Sequence, residues 1–337
     1  MENETGECKE EQNNLTTGCR VKMEQGQNKS TDEGFVILGF NINGTLQNIF
    51  FALFFLMYLI TLSGHLAIVV ISLVDPALST PMYLFLRNLS FIEICYTLVF
   101  VPEMLANTLA KSKRVPLMVC AMQMYFFIAF GGTECFLLVV MAYDRYVAIC
   151  HPLRYTLIMN QNLCMQLLLV AYISGFTISL GLTMLIFSLP FCGSHNINHF
   201  FCDIPPVLFL ACSDTHVNEM AVFLVCMMIL LIPFVLILLS YVFIANSILR
   251  IKCSQGRKKA FSTCVAHLVV AVLHYGCAIF IYIRPKASYS LNEDKVVSLI
   301  YTNVTPMLYP MIYSLRNKEV KGALKRVWGR TFVSVTR

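Results

Sequence analysis

Met141-Ala-Tyr-Asp-Arg-Tyr-Val-Ala-Ile-Cys-His-Pro-Leu-Arg-Tyr155 closes a long apolar segment with a charged pair, Asp144-Arg145. Such a pair is costly in hydrocarbon and cheap at a membrane–water boundary, so the run marks a helix leaving a bilayer. The rest of the chain agrees. Of its 337 residues 57% are hydrophobic and 13% are charged, where a soluble globular domain carries roughly 25% charge. The deficit makes lipid the solvent for much of the chain. The net charge of +6 is modest. With so little polar surface it gives no case for nucleic acid, and the basic residues cluster at the ends of apolar segments.

Seven apolar stretches reach the roughly 20 residues a membrane-crossing helix needs. They lie near 48–74, 81–105, 116–143, 163–188, 217–249, 259–283 and 294–314. The expected fold class is therefore an all-α membrane protein, a seven-transmembrane helix bundle. With the N-terminus outside, 15 of the 25 Lys and Arg residues fall on the cytoplasmic side, the sign expected of that orientation. The chain divides into an extracellular glycosylated tail (1–47), a membrane domain (48–314) and a cytoplasmic tail (315–337). A polar tail precedes the first span, which reads as a retained helix and not a cleaved signal peptide. That tail carries the sequons at Asn3, Asn14, Asn28 and Asn43, each an acceptor for N-glycosylation in a lumenal segment. Beyond Asn317, Val320, Ala323, Leu324, Val327 and Trp328 recur at helical spacing between Lys321, Lys325 and Arg326. This reads as a short amphipathic helix on the inner leaflet, in contact with membrane lipids.

Of 14 cysteines, those on the outer side are Cys8, Cys19, Cys120, Cys192, Cys202 and Cys212. An even number in an oxidising compartment points to pairing. His195, His199 and Cys202 also leave a metal site open.

Several runs, taken with Met141–Tyr155, resemble the olfactory receptors, a branch of the rhodopsin-like G-protein-coupled receptors, and specifically their class II. They are Phe35-Val-Ile-Leu-Gly-Phe40, Pro81-Met-Tyr83, Lys259-Ala-Phe-Ser-Thr-Cys-Val-Ala-His267, His274-Tyr-Gly276 and Pro306-Met-Leu-Tyr-Pro-Met-Ile-Tyr313. The only Trp is Trp328; Tyr275 stands where other rhodopsin-like receptors carry a sixth-span Trp. Family members begin shortly before the Phe35 run, so residues 1–22 look like an extension and Met23 is a second candidate start. Asn28 matches the position the family usually glycosylates, with Asn3 and Asn14 as further acceptors.

The resemblance implies the disulfides Cys120–Cys202 and Cys192–Cys212, which tie the second outer loop over the bundle as a lid. It implies a ligand pocket between the outer halves of spans three, five and six, lined by Met124, Phe127, Ile128, Gly131, Gly132, Val225, Ile229, Ala278, Ile279 and Tyr282. Phe127 stands where amine receptors have an Asp, so the lining is apolar, with Tyr282 and His274 as polar handles. Such a pocket suits a small uncharged volatile ligand. Arg145 is the expected coupling residue, held at rest by Asp144, within a switch set that also includes Tyr146, Tyr241, Tyr275 and Tyr313. Tyr241 and Tyr313 are expected to move against Arg145. Arg257-Lys258-Lys259 stands where many relatives outside the olfactory branch carry an acid that locks the sixth span to Arg145, so no such lock is available.

Glu93 and Glu134 are acids within apolar spans, where an unpaired carboxylate costs several kcal/mol. The resemblance places them in a central polar network with His65 and Tyr309, where a sodium ion or a proton sits; no organic cofactor is expected. Three positions depart from the family: His65 replaces Asn, Glu93 replaces Asp, and Tyr309 replaces Asn. These put sodium coordination in doubt and set His65 to titrate against Glu93, giving pH-sensitive resting activity. The function expected is a non-enzymatic odorant receptor that activates a stimulatory G protein and raises cyclic AMP. A transporter is the other class that seven spans and buried acids permit, but the chain shows no internal repeat and no pair of broken half-helices.

Overall fold

The computed structural model describes residues 34–39, 44–109, 113–192, 195–250, 253–283, 291–316 and 319–326. The four sequon asparagines of the tail, Cys8, Cys19, both candidate start residues, Val327 and Trp328 lie outside them. The membrane helices are α1 (Thr45–Val74), α2 (Pro81–Leu109), α3 (Leu117–Cys150), α4 (Gln161–Phe187), α5 (His216–Leu249) and α6 (Ser254–Tyr282). A seventh, α7, joins Leu291–Leu299, Ile300–Val304 and Thr305–Arg316, and a short helix α8 covers 319–326. Six of these helices are long and apolar enough to cross a bilayer. The seventh, less apolar, packs against α1 and α6 and completes the bundle.

Local chemistry sets the ends. Asn160 caps α4 by accepting from Leu163 N at 2.9 Å, satisfying one of the donors a helix start leaves open. Asp75 ends α1 and accepts from Ala77 N at 3.0 Å. The structure extends the third span: α3 runs on to Cys150, past the expected end at 143. No residue between Tyr143 and Cys150 breaks a helix, and the first proline is Pro152. Wide π-helical turns at Met227–Leu231 and Ile300–Val304 each lie just before a proline, Pro233 and Pro306. A proline has no N–H to return to the preceding turn and its ring crowds the carbonyl four residues back, and a widened turn is one way to absorb both.

The outward faces are apolar, including Leu56, Leu66, Leu169, Met184, Leu236 and Phe243. On α5 only 28% of the apolar window is buried although its mean hydropathy is 3.3, as suits a helix whose outer surface meets lipid.

One element departs from an all-helical reading. Phe35–Ile37 (β1), Lys113–Val115 (β2) and Asn196–Ile197 (β3) form a three-stranded sheet in the order β2-β1-β3 on the outer face. Phe35 pairs with Val115 in an antiparallel ladder, and Val36 pairs with Asn196 in a parallel one. Phe35 and Ile37 are buried on the same side of the strand, as period-2 alternation requires. A Cβ on Gly34 would run into the Val115 carbonyl, so glycine permits the close approach. Gly39 turns the chain away at φ +54°, a left-handed conformation that glycine adopts without penalty. Lys295 of α7 then donates to Gly39 O at 3.1 Å and to Asn198 Oδ1 at 2.6 Å.

On the inner face α8 buries Val320 and Ala323 and exposes Lys321 and Lys325. Tyr83 donates to Glu319 at 2.8 Å, and Arg326 pairs with Asp75 at 2.7 Å.

Candidate functional site

The outer half of the bundle is organised around Phe127. Its ring lies 5.0 Å from Tyr96, 5.9 Å from Phe100 and 4.7 Å from Phe201. Three helical rings and one ring from the outer loop therefore meet over the middle of α3. Met124 and Ala278 are fully buried nearby, while Ile128, Val225, Ile229 and Ile279 are partly buried. A Cβ on Gly131 would meet Tyr301 Oη at 3.3 Å and Tyr96 at 3.8 Å, so this glycine faces the bundle interior. Gly132 points elsewhere: its Cβ would meet Gly175 of α4 at 3.6 Å. It belongs to the α3–α4 seam and not to the lining. The aromatic ring set Tyr96, Phe100, Phe201 and Tyr301 escaped the sequence reading, because helix rotation and loop descent are not written in spacing alone.

The lid is fastened by two disulfides. Cys120 pairs with Cys202 and Cys192 with Cys212, with Cα–Cα distances of 5.4 and 5.8 Å. Gln123 takes the Cys202 N–H on its Oε1 at 2.9 Å and donates to Glu103 at 2.8 Å. Because Cys202 is in a disulfide, the His195/His199/Cys202 metal arrangement is lost, and no metal-holding group of His, Cys, Asp and Glu exists among the described residues. His199 is buried edge-on to Phe201 at 4.8 Å; burial, with Lys295 nearby, pushes its pKa down to about 3.

Tyr282 is not an unengaged handle. Its hydroxyl donates to Asp203 Oδ1 at 2.9 Å, and the same oxygen accepts from Ile204 N at 2.8 Å. Burial raises the Asp203 carboxyl from 3.8 to about 6, against the downward pull of these two bonds. A carboxyl whose pKa is raised on folding binds its proton more tightly in the folded state. Its contribution is therefore largest below pH 3.8 and falls away as the pH rises to about 6, a span worth about 3 kcal/mol. Asp203→Asn is expected to flatten the fall in thermal stability across that window, measured by melting the purified protein at a series of pH values. A slope unchanged by the substitution would show that another group controls it.

Below the aromatic layer lies the polar core. Glu134 Oε1 is 2.8 Å from His274 Nδ1, and His274 Nε2 is 3.3 Å from Cys135 Sγ. Glu93 and Tyr309 both lie within hydrogen-bonding reach of the Glu134 carboxyl group. His65 meets a different group from the one expected. Its Nε2 lies 3.0 Å from Pro306 O, and the imidazole paired with an acid is His274, not His65. The reason is local: residue 310 is a proline, so it cannot return an N–H to the carbonyl four residues earlier. His65 supplies that donor from α1, and Gly64 beside it lets α1 close on Pro310, whose ring carbons a Cβ would approach to 2.8 Å. His65→Asn retains a donor and is expected to keep the melting temperature near wild type. His65→Leu leaves the carbonyl orphaned and should cost about 1–3 kcal/mol, read as the loss of melting temperature in the purified protein.

At the inner end Asp144 is 1% exposed and accepts from Arg145 Nε at 3.0 Å and from Tyr155 Oη at 2.8 Å. Arg145 keeps part of its side chain open to the inner face. Tyr241 is committed to α6 through His267 Nδ1 at 2.6 Å. Tyr313 Oη is buried with no hydrogen-bond partner among the described residues, and Tyr146 packs on Phe243 of α5 and on His151. Tyr275 sits higher, where its hydroxyl donates to Cys135 O at 2.7 Å. Of the switch set, then, Asp144 and Arg145 are in contact, and the tyrosines are distributed among neighbouring helices.

Comparison with known proteins gives consistent relatives. Residues 54–330 match the family model described as olfactory receptor. Human olfactory receptor 10Q1 is 52% identical over 299 residues, 88% of this chain and 94% of that relative. Human olfactory receptor 10Z1 is 49% identical over 87% of this chain and 94% of its own length. For human olfactory receptor 10T2 the figures are 49%, 90% and 97%.

Proposed function

Since the chain belongs to the olfactory receptor family, a multi-pass plasma-membrane receptor and not an enzyme, we propose how it performs that role. A small apolar volatile odorant enters the outer half of the bundle and rests against Met124, Phe127, Ile128, Gly131, Val225, Ile229, Ala278 and Ile279. It shifts the bundle towards a state with an opened inner face, where Arg145 leaves Asp144 to engage a stimulatory G protein and cyclic AMP rises. Only a ligand that binds the open state better than the resting one drives this shift. The tail 1–47 is extracellular and glycosylated at Asn28, Asn3 and Asn14; the membrane domain spans 48–314, and the cytoplasmic tail is 315–337.

The observation that carries the reading is the layered arrangement along α3. Phe127 lies under the disulfide-tied lid, and Asp144-Arg145 lies at the other end of the same helix. Movement of one rigid element can therefore be felt at both ends. The test is a cyclic AMP reporter assay against an odorant panel, with surface staining. Arg145→Ala is expected to lose at least about tenfold of the response at equal surface level, a coupling loss of about 1.4 kcal/mol or more. An undiminished response in that variant would exclude Arg145 from coupling.

A further inference from the structure

The polar core holds two acids side by side, Glu93 and Glu134, well inside the bundle and both essentially sealed from solvent. In this chain the Glu134 carboxylate already faces a basic ring, His274 Nδ1 standing 2.8 Å from its Oε1, and Glu93 lies against the same carboxylate. The donor set departs from a cation site in a second way, since α7 offers the Tyr309 hydroxyl in place of an amide oxygen. These residues do not fit a resident sodium ion.

The partner of Glu134 also comes from a different helix. His274 and Tyr275 of α6 make three contacts with Glu134 and Cys135 of α3: the ion pair, the Cys135 Sγ contact at 3.3 Å, and the Tyr275 bond to Cys135 O at 2.7 Å. The His274 ring also packs 5.3 Å from Tyr301 of α7. At the inner end no comparable tie is present among the described residues. Arg145 is held by Asp144 of its own helix, and Tyr241–His267 joins α5 to α6.

We propose that the imidazolium of His274 replaces a bound cation beside Glu134, and that, being carried on α6, it fastens α6 to α3 in the resting receptor. This builds on the receptor reading above. The sequence offers no acid for a lock at the inner end of the sixth span, where it reads Arg257-Lys258-Lys259; the tie proposed here lies in the middle of the membrane, beneath the aromatic layer. A ligand that displaces Tyr301 or Tyr275 would disturb the ion pair directly, without any ion having to leave.

The test uses the full-length receptor in lipid nanodiscs, and its distance measurement needs neither odorant nor G protein. Bioorthogonal spin labels are placed at Leu157 and Gln255, both exposed on the inner face, and their separation is read by pulsed electron resonance. Wild type is expected to give the same short-distance population in sodium chloride and in choline chloride of equal ionic strength. His274→Gln and Glu134→Gln should each raise the long-distance population about fivefold or more, the range of a typical coupling between two states. The two effects should not add in the double variant. The exchanged pair, Glu134→His with His274→Glu, should restore the short distance. If the single variants fail to fold, His274→Lys retains the positive charge and should keep the short distance. A wild-type population that tightens on adding sodium would overturn the proposal, because an ion would then be compensating Glu134. Additive or absent effects of the two Gln variants would overturn the α3–α6 tie. A silent nucleotide-exchange assay alongside the expected distances would sink the receptor reading and leave the lock standing.

Discussion

Gly175→Ala is expected to remove most of the receptor from the cell surface, a large consequence for one methyl group. On the structure, a Cβ at 175 collides with Thr133 Oγ1 and comes within 2.7 Å of Thr133 N and 2.8 Å of Ala129 O, all on α3. The backbone atoms cannot rotate away, and Thr133 Oγ1 is tied to Ala129 O at 2.7 Å. The two helices must separate, opening the seam that Gly132 and Gly175 share. Overpacking of this kind costs about 1–3 kcal/mol, occasionally more. In a bilayer, close packing through small residues is itself a main source of helix association. The control lies on the same helix: Gly181 has nothing within 4 Å of its Cβ position, and Gly181→Ala should be expressed like wild type. Surface staining and the melting temperature of purified protein decide the matter. Equal behaviour of the two variants would show that the α3–α4 seam tolerates expansion.

Cys202→Ser is the second substitution with a large expected effect. Cys120 and Cys202 are fully buried, and their bond joins the top of α3 to the middle of the lid. Losing such a disulfide typically costs about 2–5 kcal/mol, and here the lid also carries Phe201 onto Phe127 and Asp203 onto Tyr282. The expected result is a receptor retained inside the cell. Cys120→Ser/Cys202→Ser, with no lone thiol to mispair, should fail in the same way. Cys192→Ser should be milder, because Cys192 and Cys212 are both exposed and their bond ties the two ends of the loop to each other and not to α3. If the double variant reached the surface and bound ligand normally, the lid would be held by packing alone.

The parts of this protein that were legible in its sequence are those where lipid is the judge. Run length and composition place the helices, because a bilayer admits few other backbones. Asp144-Arg145 announces an interface for the same reason. What escaped depends on direction and distance. Gly131 and Gly132 are neighbours in sequence, yet one faces the bundle interior and the other the α4 seam, a difference set by helix rotation. The sequence sets His65 against Glu93 and offers His274 only as a polar handle of the pocket. Which of them meets Glu134 depends on the orphaned Pro306 carbonyl claiming the other. Nothing in the sequence singles out Asp203, and only the descent of the lid buries it beside Tyr282. The strand at Phe35–Ile37 is too short to signal itself, since its two partners come from distant loops.

That small sheet has a consequence for how the receptor is made. Its middle strand is the first of the three to leave the ribosome, and one of its neighbours, Asn196–Ile197, follows only after four membrane helices. Contacts between such remote segments are the slow ones to form. The opening segment can pair with Lys113–Val115 once two helices have been made, but it must wait for its second partner until more than half the chain has been threaded through the membrane. Closure of the outer cap can then serve as a late checkpoint, met only by molecules whose first four helices have been inserted in the right order.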